Sequence, residues 1–357
     1  MMQPVYISSA SVISPQQHFE DVGFLADVHD IAEGMLYVRE PNYRGYINPV
    51  AIRRMSKLLK MGISCGMSAL QRAGIEKPDA IITGTGRGSM VDTEQFLLNM
   101  IEMDEEALTP TSFIQSTYNS INGWLALQTK CTGYNQTYVN RGTSFELALF
   151  DAQMLLNEAE QEMHVLAGCF DEITPDYIKV KSKIGYWKQP IPANTDLLKH
   201  SNTPGTIAGE GSAFFTLTNK KENALCSLQA IATMQDAEPA EVMAAINPLL
   251  NKHGLALDDI DLLLCGMNGD SRQMEVYNQL SQSANGHTTI AAFKHLCGEY
   301  DTSSGFATWI ATEIFKAGEI PDTLVIKKGS HKGIQNILLV NHYILNSHSI
   351  VLLQSVQ

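Results

Sequence analysis

The stretch from Tyr134 to Asn157 is where this sequence could place a reacting group. Tyr134 to Val139 reads as a strand, Asn140 to Thr143 (NRGT) as a turn, and Ser144 to Asn157 as an amphipathic helix. A side chain on such a turn is presented at a helix N-terminus, where free backbone N–H groups and the helix dipole favour negative charge. A fold would place a nucleophile and an oxyanion hole there. Thr143 needs an adjacent base to take its hydroxyl proton. Two cysteines have suggestive neighbours: Cys297, close to Lys294 and His295, and Cys169, which follows Gly168 at a strand end. Free cysteines are among the most buried residues, and inert packing is the simpler reading of both. Gly84-Thr85-Gly86-Arg87-Gly88 lies between a strand and a helix. Its spacing fits neither a dinucleotide fingerprint nor a Walker loop, so a tight turn without a ligand is expected. The chain has 6 cysteines and no CxxC pair, which supports neither a disulfide framework nor a zinc cluster. No metal and no cofactor are expected.

The elements that must position these residues alternate short β-rich runs with longer helical patterns, the signature of a layered α/β fold. Residues 4–14 read as a strand and turn. Apolar residues from Ile52 to Ala73 keep helical spacing until Gly74. Asp79 to Thr83 is a buried strand, and the helix after the glycine turn takes Asp92 as N-cap with Gln95 three residues on. His164 to Ala167 is another strand. Lys183 to Ser201 is a polar, turn-rich excursion, and Gly209-Glu210-Gly211 leads into a strand from Ala213 to Leu217. After the polar break Asn219 to Asn223 the series resumes. The strand Leu262 to Cys265, the turn Gly266 to Asp270 and a helix from about Arg272 echo 80–103. Thr288 to Phe293 and the helix Ser303 to Lys316 echo 137–157. The echo is architectural, with little residue identity.

The 357 residues are 44% hydrophobic and 18% charged, enough for a sizeable core. Lys+Arg 25 against Asp+Glu 38 gives −13, which argues against nucleic acid or an anionic membrane as a partner. No apolar run reaches the roughly 18–20 residues of a membrane span, and the first residues lack a signal-peptide pattern. A cytoplasmic protein with reduced thiols is expected. Arg53, Arg54, Lys57 and Lys60 read as two helical turns of one basic surface.

Over nearly its whole length, Pro4 to about Leu353, the chain resembles the β-ketoacyl synthases, condensing enzymes of the thiolase-like fold. VYISSASVISP is similar to the family's first strand and turn. RRMSKLLKMG (53–62), IITGTGRGSMVDTEQFL (81–97) and LTPTSFIQSTYNSINGWLAL (108–127) resemble consecutive family segments. LAGCFDEIT (166–174) is similar to the strand after the nucleophile helix, and GEGSAFFTL (209–217) to a glycine-flanked glutamate. The resemblance implies an αβαβα fold of two similar halves, 1–220 and 221–357. The family works with a cysteine, two histidines and a lysine. These positions fall on Thr143 (with Gly142 as the neighbouring alternative), Asn268, Glu299 and Lys294, so that only the lysine is retained. The family's glycine-rich C-terminal loop falls on NHYILNSH (341–348), which has no glycine.

The resemblance therefore implies a non-catalytic, chain-length-factor-like subunit. It would pair with an active ketosynthase in fatty acid or polyketide biosynthesis, and the RGTSFE segment points to aryl polyene or flexirubin type pathways. Pairing, with that ketosynthase or with a second copy, is expected through Thr137, Tyr138, Val139 and Asn140, with 108–124 near the interface and the acyl tunnel. An acyl carrier protein would dock on the partner or on Arg53, Arg54, Lys57 and Lys60. The alternative is an active acyltransferase or condensing enzyme rebuilt around Thr143, Lys294 and Glu299, with Asn268 or Glu299 as base.

Overall fold

A computed structural model describes residues 3–21, 23–106, 108–344 and 346–356. Its first half opens with β1 (Val5–Ile13), the short β2 (Met35–Leu36), α1 (Pro49–Ile52) and α2 (Lys57–Ala73). The helical spacing from Ile52 onward thus spans two helices. Proline begins α1, the chain leaves helical geometry at Ser56 (ψ 166), and α2 starts afresh. Arg53 and Arg54 therefore lie in the break, off the face that carries Lys57 and Lys60. Gly74, at φ +71, closes α2 as expected.

β3 (Ala80–Gly84) follows, then α3 (Met90–Glu102), α4 (Pro110–Ser116) and α5 (Ser120–Thr129). The N-cap of α3 is Ser89 rather than Asp92. Asp92 sits in the first turn and accepts a 2.5 Å hydrogen bond from the Ser89 hydroxyl, its charge suiting the helix dipole. Next come β4 (Tyr134–Tyr138), α6 (Ser144–Glu158), β5 (His164–Asp171), α7 (Pro175–Ser182), β6 (Ala208–Gly209) and β7 (Gly211–Thr218). β4 ends at Tyr138, which leaves Val139 and Asn140 in the turn instead of the strand.

The second half comprises β8 (Cys226–Met234), α8 (Pro239–Asn251), β9 (Leu262–Cys265), α9 (Glu275–Ser283), β10 (Thr289–Ala292), α10 (Lys294–Cys297), α11 (Ser304–Ala317), β11 (Val325–Lys327), β12 (Asn336–Tyr343) and β13 (Ser347–Gln354). The strands lie in the order β4-β3-β5-β7-β1 and then, inverted, β8-β13-β12-β9-β10-β11. Numbered within each half, both sheets run 3-2-4-5-1, with β11 added to the second. Within each 3-2-4-5-1 set the fifth strand runs antiparallel to its neighbours, and the added β11 is antiparallel to β10. The architectural echo in the sequence is a repeated topology, and a short antiparallel β1–β8 pairing joins the halves.

Alternation along the parallel strands builds the layers. Ala80, Ile82, Val165 and Ala167 face a central layer with Leu262, Leu264, Ile337 and Leu339, filled by Phe145 and Leu149 of α6 and Phe306 and Ile310 of α11. The intervening Ile81 and Leu166 pack outward on α2 and α5, while Leu263 and Leu338 pack on α8 and α9. The order is helix, sheet, helix, sheet, helix: the thiolase-like αβαβα fold. All 6 cysteines are buried and unpaired.

Candidate active site

The parallel strands of both halves end at one place, the usual location of a site in open α/β sheets. Thr85 to Arg87 follow β3, Thr143 follows β4 and Asp171 ends β5. Asn268 follows β9, Lys294 follows β10, and His342 lies at the end of β12. Chain topology thus gathers the turns that carry Thr143, Asn268 and Lys294.

Thr143 is buried at the N-terminus of α6, behind a tight turn in which Arg141 takes φ +51. Its hydroxyl donates to the Asn140 carbonyl at 3.1 Å and accepts from the Asn140 and Gln235 amides at 3.1 and 3.2 Å. Neither an amide nor a carbonyl takes a proton at neutral pH, so this hydroxyl has no general base. At Gly142 a Cβ would stand 2.1 Å from Cβ of Tyr343. A thiol therefore has no room at 142, and Thr143 is the position on which the nucleophile alignment can rest.

The other three positions bond to one another. Lys294 Nζ donates to both Glu299 oxygens at 2.8 and 3.0 Å and to the His342 carbonyl at 2.6 Å, using all three ammonium protons. Asn268 Nδ2 donates to Glu299 Oε2 at 2.7 Å and Gln273 Oε1 at 2.9 Å. Lys294, Glu299 and Asn268 are each at most 1% exposed. Burial pushes the Glu299 carboxyl up, against the pull of Lys294 and Asn268. Neither Glu299 nor Asn268 bonds Thr143, so the base proposed for a rebuilt threonine site is committed elsewhere.

The sequence analysis missed two histidines that return to this place. Residues 341–343 and 347–348 belong to paired strands rather than a loop: β12 continues to Tyr343, β13 begins at Ser347, and His342 pairs with His348. The apolar run ILLV ahead of Asn341 was the available signal for the longer strand. His342 Nε2 bonds Gln273 Oε1, and Nδ1 lies 2.6 Å from the Tyr277 hydroxyl. Gln273 Oε1 is an acceptor, which fixes the proton on Nε2 and leaves Nδ1 to accept from Tyr277. Burial, reinforced by Lys294, holds His342 well below the usual imidazole range, and burial brings His348 down to about 4. Both rings are neutral at pH 7, and both nitrogens of His342 are occupied.

A second polar cluster flanks the first. Asp171 accepts from Thr85 Oγ1, Gly86 N, and the backbone and hydroxyl of Thr302, at 2.7–3.0 Å. Burial, and then the nearby Asp301, raise it to about 7. Asp301 accepts from Arg87 at 3.1 Å and Tyr343 at 2.9 Å. Glu146, one turn into α6, is buried against Ser349 and its carboxyl is pushed up by desolvation. The sequence carried no signal for these acids, whose partners lie 42 to 214 residues away.

Two further expectations are refined. Lys57 is drawn into the fold by Glu210, whose fully buried carboxylate accepts from Lys57 Nζ at 2.7 Å and from the backbone of Val38 and Ile173. Lys60 faces Glu40 at 3.9 Å and the Tyr43 ring. Of the basic group, Arg53 and Arg54 alone are fully exposed. Cys297 and Cys169 are buried, and desolvation pushes both thiols well above their ordinary range, as expected of inert packing.

A repeated 3-2-4-5-1 sheet with its site at the junction of the halves is the architecture of a condensing enzyme. The family model for the beta-ketoacyl synthase N-terminal domain matches residues 33–253, more than half of the chain, and the chain belongs to the β-ketoacyl synthase family. No curated protein matches it. Among solved structures, it is similar to the ishigamide ketosynthase/chain length factor, at TM-score 0.76 and 14% identity over 99% of this chain and 100% of that one. A β-ketoacyl synthase from Burkholderia phymatum STM815 gives TM-score 0.77 and 14% identity over 100% of both chains. A type II PKS acyl-carrier protein in complex with its ketosynthase bound to the hexaketide gives 0.72 and 13%, over 99% of this chain and 100% of that one. At such identities the likeness is one of fold. Among the described residues no helix is long and apolar enough to cross a membrane, and no cluster of side chains could hold a metal ion.

Proposed function

We propose that this chain is a non-catalytic, chain-length-factor-like subunit that pairs with an active ketosynthase in fatty acid or polyketide biosynthesis of the aryl polyene kind. The observation that carries this reading is the closed Lys294–Glu299–Asn268 network. Every polar atom of the three family positions is spent on a neighbour in this chain, and Thr143 is bonded to amides. Condensation needs a free nucleophile and donors aimed at a developing enolate. A carboxylate beside the enolate site opposes that charge.

The pairing surface supports the same reading. β4 is an edge strand without a charged residue, YNQTY, flanked by the exposed Val139. The opposite edge, β11, ends in Lys327 and Lys328, charges that discourage strand addition. Around β4, the residues 108–124 form α4 and the start of α5, and present Phe113, Ile114, Tyr118 and Trp124 to the surface. An unguarded strand amid exposed aromatics fits a partner chain, an active ketosynthase or a second copy. The halves divide at 220/221, and the protein works in the cytoplasm. A carrier protein docks mainly on the partner, because Lys57 and Lys60 are engaged and Arg53 and Arg54 remain.

Intact-mass spectrometry after incubation with acyl-carrier thioesters tests the reading. No adduct is expected. A stoichiometric acyl group on Thr143 would instead establish the alternative, an acyltransferase rebuilt around Thr143, Lys294 and Glu299.

A further inference from the structure

Beside the closed network lies a cleft of about 630 Å³, lined by Arg87, Asn140, Arg141, Lys181, Gln235 and Tyr343 among others. Its size suits a small organic ligand. Arg87 is neutralised by Asp301 at 3.1 Å. Arg141 makes one hydrogen bond, to the Gly86 carbonyl at 3.4 Å, and no ion pair among the described residues. Lys181 has no carboxylate partner either; its ammonium rests 4.9 Å from the Tyr186 ring centroid and 5.7 Å from that of Tyr177. Asp236 is the carboxylate on the lining, and it is exposed. In a chain of net charge −13, two uncompensated cations share one cleft. Burial and then Arg87 depress the Lys181 ammonium and Arg141 adds to this, while Asp301 and Glu299 oppose it.

We propose that this cleft binds a free phosphate monoester with a small organic body. Arg141 and Lys181 would supply the charge, and Asn140 and Gln235 the neutral donors. Each of these amides gives one N–H to Thr143 and keeps a second for a ligand oxygen. Tyr343 and Ile344 offer apolar surface to the body. The charge count separates this ligand from a carrier-tethered arm. A phosphodiester brings one negative charge, whereas a monoester at neutral pH brings about two, which matches the two unpaired cations.

Calorimetric titration of the purified chain with phenyl phosphate tests it, with methyl phenyl phosphate and phenol as monoanionic and neutral controls. Phenyl phosphate is expected to bind at least tenfold more tightly than either control. Arg141→Gln and Lys181→Gln are each expected to weaken it about tenfold or more, the scale of a lost charge-assisted hydrogen bond, while Lys130→Gln, at an exposed position outside the cleft, leaves it unchanged. Equal binding of the diester would identify a carrier-arm site and overturn the proposal. Equal binding of phenol, affinity unaltered in both cleft variants, or no heat of binding at millimolar phenyl phosphate would also overturn it.

Discussion

Replacing Glu299 by glutamine keeps the shape of the site and removes its one negative charge. Lys294 would remain 0% exposed with two neutral acceptors, the new amide oxygen and the His342 carbonyl. Breaking a buried pair from one side costs about 3–5 kcal/mol, a large share of the roughly 5–15 kcal/mol that holds a domain together. Lys294→Met strands the carboxyl instead, which escapes by taking up a proton. Burial already raises Glu299, and removing Lys294 raises it further. A folded-state pKa above the unfolded one means that the native chain holds the proton longer. The stability tied to this group is therefore fully present below the unfolded value and lost as pH rises through the folded one. The cost of Lys294→Met should grow as pH rises above the ordinary carboxylate range. The double variant Lys294→Met/Glu299→Leu, with neither charge, should return to within about 2 kcal/mol of the parent.

Urea unfolding at fixed pH reads these differences as midpoint shifts at constant slope. The sign matters as much as the size. Groups held in place for catalysis commonly strain a fold, and their removal tends to stabilise it. If Glu299→Gln stabilises the chain or costs less than about 1 kcal/mol, or if the cost of Lys294→Met does not change with pH, the reading of this network as a structural ion pair is refuted.

Thr143→Cys should not restore malonyl-dependent condensation, because on the proposed reading Asn268 and Glu299 stand where the family has histidines; measurable elongation would contradict that assignment. Gly142→Ala should cost about 1–3 kcal/mol or more through overpacking against Tyr343, whereas Thr143→Ala should cost only about 1 kcal/mol, the scale of a hydroxyl's hydrogen bonds; thermal unfolding of the two compares them directly. Asp171, raised to about 7, holds a proton that the unfolded chain releases near 4, so it contributes stability at low pH that is lost as pH rises from about 4 through 7. Asp171→Asn should flatten that decline in urea midpoints measured across the interval. Val139→Asp should dissociate the homodimer or the complex with a co-expressed ketosynthase on size-exclusion chromatography, since a charge in a buried interface has no compensating partner; an intact assembly would count against pairing at this edge.

The strands and most helices were legible because burial on both faces writes continuous apolar runs, as in AIIT before Gly84 and LLLC before Gly266. Boundaries were less so. The pattern from Ile52 to Ala73 looked like one helix because Met55 packs in the same core cluster as Leu58 and Leu59, although the backbone between them turns. Apolar spacing records what faces the core and is silent about how the chain gets there. The hairpin at 341–348 was misread for a related reason. Laying a relative's loop over the segment hid the strand character that its own residues carry.

The site shows a different limit. Order and spacing pointed to the turns that carry Thr143, Asn268 and Lys294, because the duplicated topology fixes which turn follows which parallel strand. What those residues do could not be found this way, because it depends on groups that the fold brings from other turns. Thr143 is quenched by Gln235, 92 residues away, and Lys294 by the backbone of His342, 48 residues away. Two histidines are present after all, but on the fourth parallel strand and the hairpin of the second half rather than after its second and third strands. There they face Gln273, Tyr277 and each other, and the cleft lies on the far side of Tyr343, the residue that presses on Gly142. Moving histidines from turn to hairpin converts groups that can exchange protons with a ligand into groups that hold the hairpin down. The hairpin in turn closes over the turn where a nucleophile would stand. On the proposed reading, the absence of a thiol at Thr143 and the engagement of His342 are coupled through this hairpin, and supplying a thiol alone leaves the other half of the chemistry shut.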